Sequence, residues 1–245
     1  MRIAAILMLL LAAGCTDAAN EPNIVVILTD DMGYGDIGAY GGKRIKTPNI
    51  DSLAATGIAF TNGYASANVC SPSRAGLMTG RYAIRAGLAW KVVTAADTRG
   101  LPESEETLGE LARRAGYRTM FIGKWHLGRF PEYLPQKHGF DAFYGVPHSN
   151  DMPEFALYDG ETVVEDPVEQ RRLTRRYTQK AVDFIEGRSD QPFLLFVSHT
   201  FPHIPLFASE DFHGNSDAGL YGDTVEELDW STGEILKALE AAGLV

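Results

Sequence analysis

Apolar residues in this chain come in two alternating patterns. One is the short unbroken run: Ile24-Val25-Val26-Ile27-Leu28 is aliphatic and largely β-branched without a polar break, as expected of a parallel strand covered on both faces. The other is helical spacing, as in Leu173, Tyr177, Ala181 and Phe184 within residues 173–186. Glycine separates the two repeatedly. A helix over 49–56 closes at Gly57, and a strand over 58–64 is predicted to follow and lead toward Cys70. A helix over 107–115 opens with Thr107-x-x-Glu110, a capping box, and closes at Gly116 before a strand over 118–122. The 173–186 helix closes at Gly187 before a strand over 193–197.

This alternation predicts an α/β fold with a mainly parallel central sheet flanked by helices. Such sheets bind ligands outside the carboxyl ends of their strands. Those ends carry unusual groups here: Asp30-Asp31 after the first strand, Lys124-Trp125-His126 after 118–122, and Ser198-His199-Thr200-Phe201-Pro202-His203 after 193–197. A last helix is read over 224–242, with Val225, Leu228, Thr232, Ile235 and Leu239 on one face, closed by Gly243. Only Leu244-Val245 remain where another strand is due, so the sheet is expected to be truncated before it is complete.

A net charge of −10 with no basic stripe argues against a nucleic-acid partner. Residues 1–14 read as a secretory signal, with Arg2 ahead of an apolar run too short to span a bilayer. Leu11-Ala12-Ala13-Gly14-Cys15 resembles a bacterial lipobox, with alanine at 12 where leucine is usual. The expectation is an exported protein, periplasmic or at the cell surface, whose only membrane attachment is a lipid anchor on Cys15. Residues 15–22 form a polar linker, and 23–245 the domain. With Cys15 processed, Cys70 is left as an unpaired thiol in an oxidising compartment, where it must be buried or chemically used.

Cys70 stands just before Ser71-Pro72, which predicts a helix start with Pro72 at its first position and Cys70 as its cap. The amide donors of that end favour an anion, and Arg74 adds a charge one turn in. Asp30 and Asp31 offer hard oxygen donors for a divalent cation, with Asp36 close behind, although Asp also suits turns and caps. Gly33-Tyr34-Gly35-Asp36-Ile37-Gly38 matches a dinucleotide fingerprint but lacks a following helix, and two carboxylates precede it. In an extended segment Lys124 and His126 point the same way and could reach one anion. The His199 and His203 spacing would suit helical zinc ligands, but Pro202 and Pro205 break the helix.

Taken together, Cys70-Ser71-Pro72-Ser73-Arg74 with Thr79-Gly80-Arg81, Asp30-Asp31, Gly123-Lys124-Trp125-His126-Leu127-Gly128 and Thr200-Phe201-Pro202-His203 resemble the type I sulfatases of the alkaline phosphatase superfamily. Tyr144-Gly145-Val146-Pro147-His148-Ser149-Asn150-Asp151 resembles the arylsulfatase A and N-acetylgalactosamine-6-sulfatase branch. The resemblance implies hydrolysis of an aryl or carbohydrate sulfate monoester. A separate maturation enzyme would oxidise Cys70 to formylglycine, whose hydrate supplies one hydroxyl to attack sulfur and a second to release sulfate. It further implies Ca²⁺, or Mg²⁺, held by Asp30, Asp31 and the residue made from Cys70. Arg74 would hold the nucleophile, Lys124 and His203 would bind sulfate oxygens, His126 would take a hydroxyl proton, and Ser149 would lie near the substrate. The partner implied is a sulfated small molecule or glycan.

The family's Asp-Asn metal pair, a further lysine and its smaller C-terminal domain have no counterpart here, so 23–245 is expected to be the N-terminal part of a catalytic domain. Competing readings are a phosphonate or phosphate monoester hydrolase of the same superfamily, an inactive glycan-binding remnant, and, distantly, a dinucleotide oxidoreductase.

Overall fold

The structure, a computed structural model, describes residues 21–187 and 189–245. Cys15 and the expected signal 1–14 lie outside the described residues. A six-stranded sheet has the order β1-β6-β2-β3-β4-β5. Its members are β1 (Ile24–Leu28), β2 (Arg118–Lys124), β3 (Ala142–Val146), β4 (Leu157–Asp159), β5 (Thr162–Glu165) and β6 (Phe193–Ser198). The first four positions in this order run parallel, and β4 and β5 add an antiparallel edge. The helices are α1 (Pro48–Thr56), α2 (Cys70–Thr79), α3 (Leu108–Arg114), α4 (Leu173–Glu186) and α5 (Gly219–Ala241). The α/β architecture with a mainly parallel sheet is therefore as the hydrophobic pattern predicts.

Strand alternation sorts the core into two halves. Phe121, Phe143, Leu194 and Phe196 face one side, where they pack with Ala75 and Met78 of α2, Ala112 of α3, Trp125 and Phe140. Phe121 stacks on Phe196 at 5.1 Å between centroids and meets Trp125 edge-on at the same distance. Ile122, Tyr144, Leu195 and Val197 face the other side, against Leu173, Tyr177 and Ala181 of α4 and Leu228 and Ile235 of α5. Each large side chain buried in this way stabilises the fold by about 1.5–3 kcal/mol. The sheet is thus clamped on both faces, which holds its strand ends in one plane.

Register makes those ends level. Leu28 lies opposite Ser198, Ser198 opposite Gly123, and Gly123 opposite Gly145. Because β6 inserts between β1 and β2, the ends of β1, β6 and β2 lie side by side, and the crevice in which such a sheet takes its ligand is the one outside these carboxyl ends. Gly123 is required there: its φ is +99°, and a Cβ would fall 1.8 Å from the Ser198 carbonyl oxygen.

Two sequence expectations fail. Residues 58–64 form no strand; Thr61-Asn62-Gly63 turns the chain, and Ile58, Phe60 and Tyr64 are exposed. Their β-branched and aromatic content suits a strand, but no described strand pairs with them. Cys70 therefore does not follow a strand end. Nor does it cap α2: Val69, extended at φ −139° and ψ 158°, is the cap and Cys70 the first helical residue. Pro72 sits third instead of first, which costs nothing because first-turn N–H groups lack partners in the helix anyway. The remaining helices match within a few residues, and Thr107 and Glu110 form the expected capping box, at 3.3 and 2.8 Å. Gly38 and Tyr34 begin 3-10 turns and not a helix, as the glycine-rich segment's context requires. Leu244 and Val245 pair with no described strand. Among the described residues no helix is long and apolar enough to cross a membrane.

Candidate active site

Four strand ends and one helix start converge on Lys124. It is the last residue of β2 and fully buried, yet its ammonium has a partner for each of its three protons. Nζ donates to Asp30 Oδ2 at 2.5 Å and to Ser149 Oγ at 2.9 Å, and lies 3.7 Å from Cys70 Sγ. Asp30 arrives from the end of β1, Ser149 from beyond β3, and Cys70 from the first turn of α2.

Arg74, one turn into α2, closes the cluster from the other side. Nη2 pairs with Asp30 Oδ1 at 3.2 Å, while Nη1 donates to the Lys124 carbonyl at 2.5 Å and to Ser198 Oγ at 2.6 Å. Ser198 Oγ in turn donates to that same carbonyl at 2.8 Å. Burial works to raise the Asp30 carboxyl, but the charges of Arg74 and Lys124 outweigh it and hold it below the usual carboxylate range. Two buried cations face one buried carboxylate, so the floor of the crevice carries net positive charge and suits an anion.

Cys70 is only partly buried. Burial first, with the Asp30 carboxylate adding to it, pushes the thiol up despite the opposing Lys124 and Arg74 charges. A thiol in that state is a poor nucleophile near neutrality.

The two histidines at the site are anchored through opposite ring nitrogens. His126 Nε2 lies 2.9 Å from the Val93 carbonyl, which can only accept, so Nε2 carries the proton. Its Nδ1 is buried and without a partner among the described residues. Burial first, then the neighbouring Lys124 and Arg74 charges, drives its pKa well below the ordinary value and keeps the ring neutral. His203 Nδ1 meets the Ile204 carbonyl at 2.6 Å and Asn150 Oδ1 at 3.1 Å, so there Nδ1 carries the proton. Its Nε2 lies 3.8 Å from Asp31 Oδ2.

Asp30, Asp31, Cys70, Arg74, Lys124, His126, Ser149 and His203 thus gather at one end of the sheet, whereas Asp36 and His199 do not join them. Lys124 and His126 do not share an extended segment. His126 has φ +59°, so the chain turns after Trp125 and its ring engages the Val93 loop while Lys124 engages Asp30. Asp31, also at positive φ, stands exposed beside His203. Asp36 lies apart, accepting from Gly33 N and Tyr221 Oη. His199 is buried behind the site, 3.4 Å from Ser231 Oγ.

For a metal, the ligand atoms of Asp30, Cys70 and His203 lie within 4.8 Å of one another. As a carboxylate, a thiol and an imidazole they make a mixed set. Oxygen in place of the sulfur, with Asp31 adjacent, turns it toward the hard donors that Ca²⁺ or Mg²⁺ prefers. Three contributors were given no role from sequence: Ser198, Asn150 and the Val93 peptide. Ser198 left a trace as the polar end of an otherwise apolar run, and Asn150 as a member of the Tyr144–Asp151 motif.

The chain matches the family described as Sulfatase over residues 22–244. It is 41% identical to N-acetylgalactosamine-6-sulfatase of Homo sapiens, covering 93% of this chain and 48% of that protein. Against arylsulfatase A of Bos taurus it is 38% identical, covering 98% and 52%. The crystal structure of Ps i-CgsB in complex with k-i-k-neocarrahexaose superposes with a TM-score of 0.83 at 30% identity, covering 91% of this chain and 56% of that one. The chain spans about half the length of the curated relatives it matches.

Proposed function

Because the chain belongs to the sulfatase family, we propose that residues 23–245 form the N-terminal part of a catalytic domain that hydrolyses a sulfate monoester, carried by a glycan or an aryl alcohol. The observation that carries this is the buried Lys124 ammonium, shared among Asp30, Ser149 and Cys70. It marks one point at which an anion, a metal-binding carboxylate and a reactive side chain can meet.

Cys70 is the residue proposed for conversion to formylglycine by a maturation enzyme; as its hydrate that group supplies a hydroxyl nucleophile in place of a thiol that burial keeps protonated. Asp30 and Asp31, with oxygen at position 70, would hold a divalent cation, which supplies charge neutralisation for the ester's sulfate oxygens.

The chain's own residues do the rest. Lys124 and Ser149 are buried and held in place, and on binding Lys124 would exchange its 3.7 Å contact with Cys70 Sγ for a sulfate oxygen, with Ser149 donating beside it. Arg74 keeps Asp30 ionised and, tied to the Lys124 carbonyl, holds α2 against the end of β2. His203, oriented through Nδ1 by Asn150 and the Ile204 carbonyl, turns Nε2 toward Asp31, where, when Nε2 also carries a proton, it would donate to a sulfate oxygen. His126, neutral and with Nδ1 open, is built to accept a hydroxyl proton. An exported location with a lipid anchor at Cys15 completes the proposal.

The test is turnover by the polypeptide co-produced with a maturation enzyme, comparing an aryl sulfate with the matching aryl phosphonate. Preferential cleavage of the sulfate is expected. Preference for the phosphonate, or no turnover of either with formylglycine verified at position 70, overturns the assignment.

A further inference from the structure

In the Cys70-Ser71-Pro72-Ser73-Arg74 element, the Ser71 hydroxyl bonds to the Val93 amide and not to Lys124 or Asp30. It is nevertheless completely buried, and its Oγ accepts the Val93 N–H at 2.8 Å. Across its Cα, Val93 presents its carbonyl, part of the next peptide group, to His126 Nε2 at 2.9 Å. Val93 is itself buried in the core half that packs against α2. The next residue is fixed as well: Asp97 accepts from Thr94 N and Thr94 Oγ, both at 2.8 Å. The loop is therefore pinned on both sides of the carbonyl that His126 needs.

An imidazole's free nitrogen is chosen by what its other nitrogen is bonded to. If the Val93 carbonyl turned away, His126 would have no buried acceptor holding its proton on Nε2, and Nδ1 would cease to be the reserved lone pair. We propose that Ser71 is a positioning residue. By holding the Val93 amide it aims the Val93 carbonyl at His126 and locks that ring as the Nε2–H tautomer with Nδ1 open. The helix that carries the reactive position at Cys70 thus also sets, one residue later, the proton state of the proposed base. The catalytic meaning of this rests on the sulfatase reading, but the lock itself does not.

Ring-nitrogen NMR of the full ¹⁵N-labelled chain tests it without turnover. The wild type is expected to show His126 as a single Nε2–H tautomer and a strongly protected Val93 amide. Ser71→Ala should give mixed tautomers and speed exchange of that amide by about tenfold, while Ser71→Thr, which keeps the hydroxyl, should restore both signals. In the matured enzyme kcat should fall about tenfold in Ser71→Ala with KM little changed. An Nδ1–H tautomer in the wild type overturns the proposal even if Ser71→Ala fails to fold. Unaltered His126 tautomer and Val93 protection in a folded Ser71→Ala overturn it equally. Absence of turnover in the wild type would instead count against the sulfatase reading and leave the NMR result to decide the lock.

Discussion

Two groups of buried polar side chains surround the same sheet, and they solve burial in opposite ways. Asp30, Arg74 and Lys124 keep their charges and satisfy them with one another, with Ser149 and Ser198, and with the Lys124 carbonyl. His138 and His199 are equally hidden but poorly partnered. Both ring nitrogens of His138 and the Nδ1 of His199 have no hydrogen-bond partner among the described residues. Burial lowers both rings to about 4, in His138 against a weak opposing pull from Glu110, so they stay neutral. Asp30, Arg74 and Lys124 keep their charges because they pair with one another, and the two unpartnered histidines give theirs up. That contrast separates groups arranged for chemistry from groups tolerated for packing.

The strongest way to break the comparison is Lys124→Met, which strips the site of its central donor and leaves Asp30 with only Arg74. Turnover should fall by about 10³-fold or more, and stability by about 3 kcal/mol, read by chemical denaturation. Unchanged stability would mean that the ion pairs are not formed in solution.

Acid should act on the other group. Between about pH 6.5 and 4 the unfolded chain binds protons on these histidines that the folded chain refuses, so stability rises with pH across that window and is lost as pH falls through it. The ceiling is about 3 kcal/mol per histidine. Denaturation midpoints at pH 7 and pH 4.5 measure the loss. His138→Phe, whose ring can keep the packing that His138 makes at 5.6 Å on Trp125, should reduce the slope. A slope equal to that of the wild type would show that His138 is not held neutral.

A smaller effect sharpens the first group. Ser149→Ala removes one of three Lys124 partners while leaving the Asp30 carboxylate and the Cys70 sulfur. It should cost about 1 kcal/mol of stability and lower turnover about tenfold. A loss as large as that of Lys124→Met would make Ser149, and not the lysine, the centre of the site.

Much of this was legible from residues alone, for reasons that differ by element. β6 is apolar up to Ser198 because both of its faces are covered, β1 is apolar throughout though only half-buried, β2 shows Met120-Phe121-Ile122 between polar ends, and α4 shows its stripe because only one face is covered. β4 and β5 were invisible: Leu157–Asp159 and Thr162–Glu165 are short, lie at the sheet edge and carry little apolar surface. β3 escaped because Tyr144-Gly145-Val146 belongs to a segment distinctive for other reasons. Residues 58–64 misled in the opposite direction, with strand-forming side chains but no described partner strand. At the site, the strand-end position of Asp30, Lys124 and His203 was readable from pattern, and their proposed roles only from resemblance. Nothing in the sequence marks a backbone carbonyl, so the parts played by Val93 and by the Lys124 peptide required coordinates.

The central claim is that position 70 is made into a nucleophile and does not act as a thiol. Mass spectrometry of the peptide containing Cys70, from protein made in its native host, tests this most directly. Conversion of the thiol to an aldehyde or its hydrate is the expected result. An unmodified Cys70, in a host shown to mature its other sulfatases, would contradict the account.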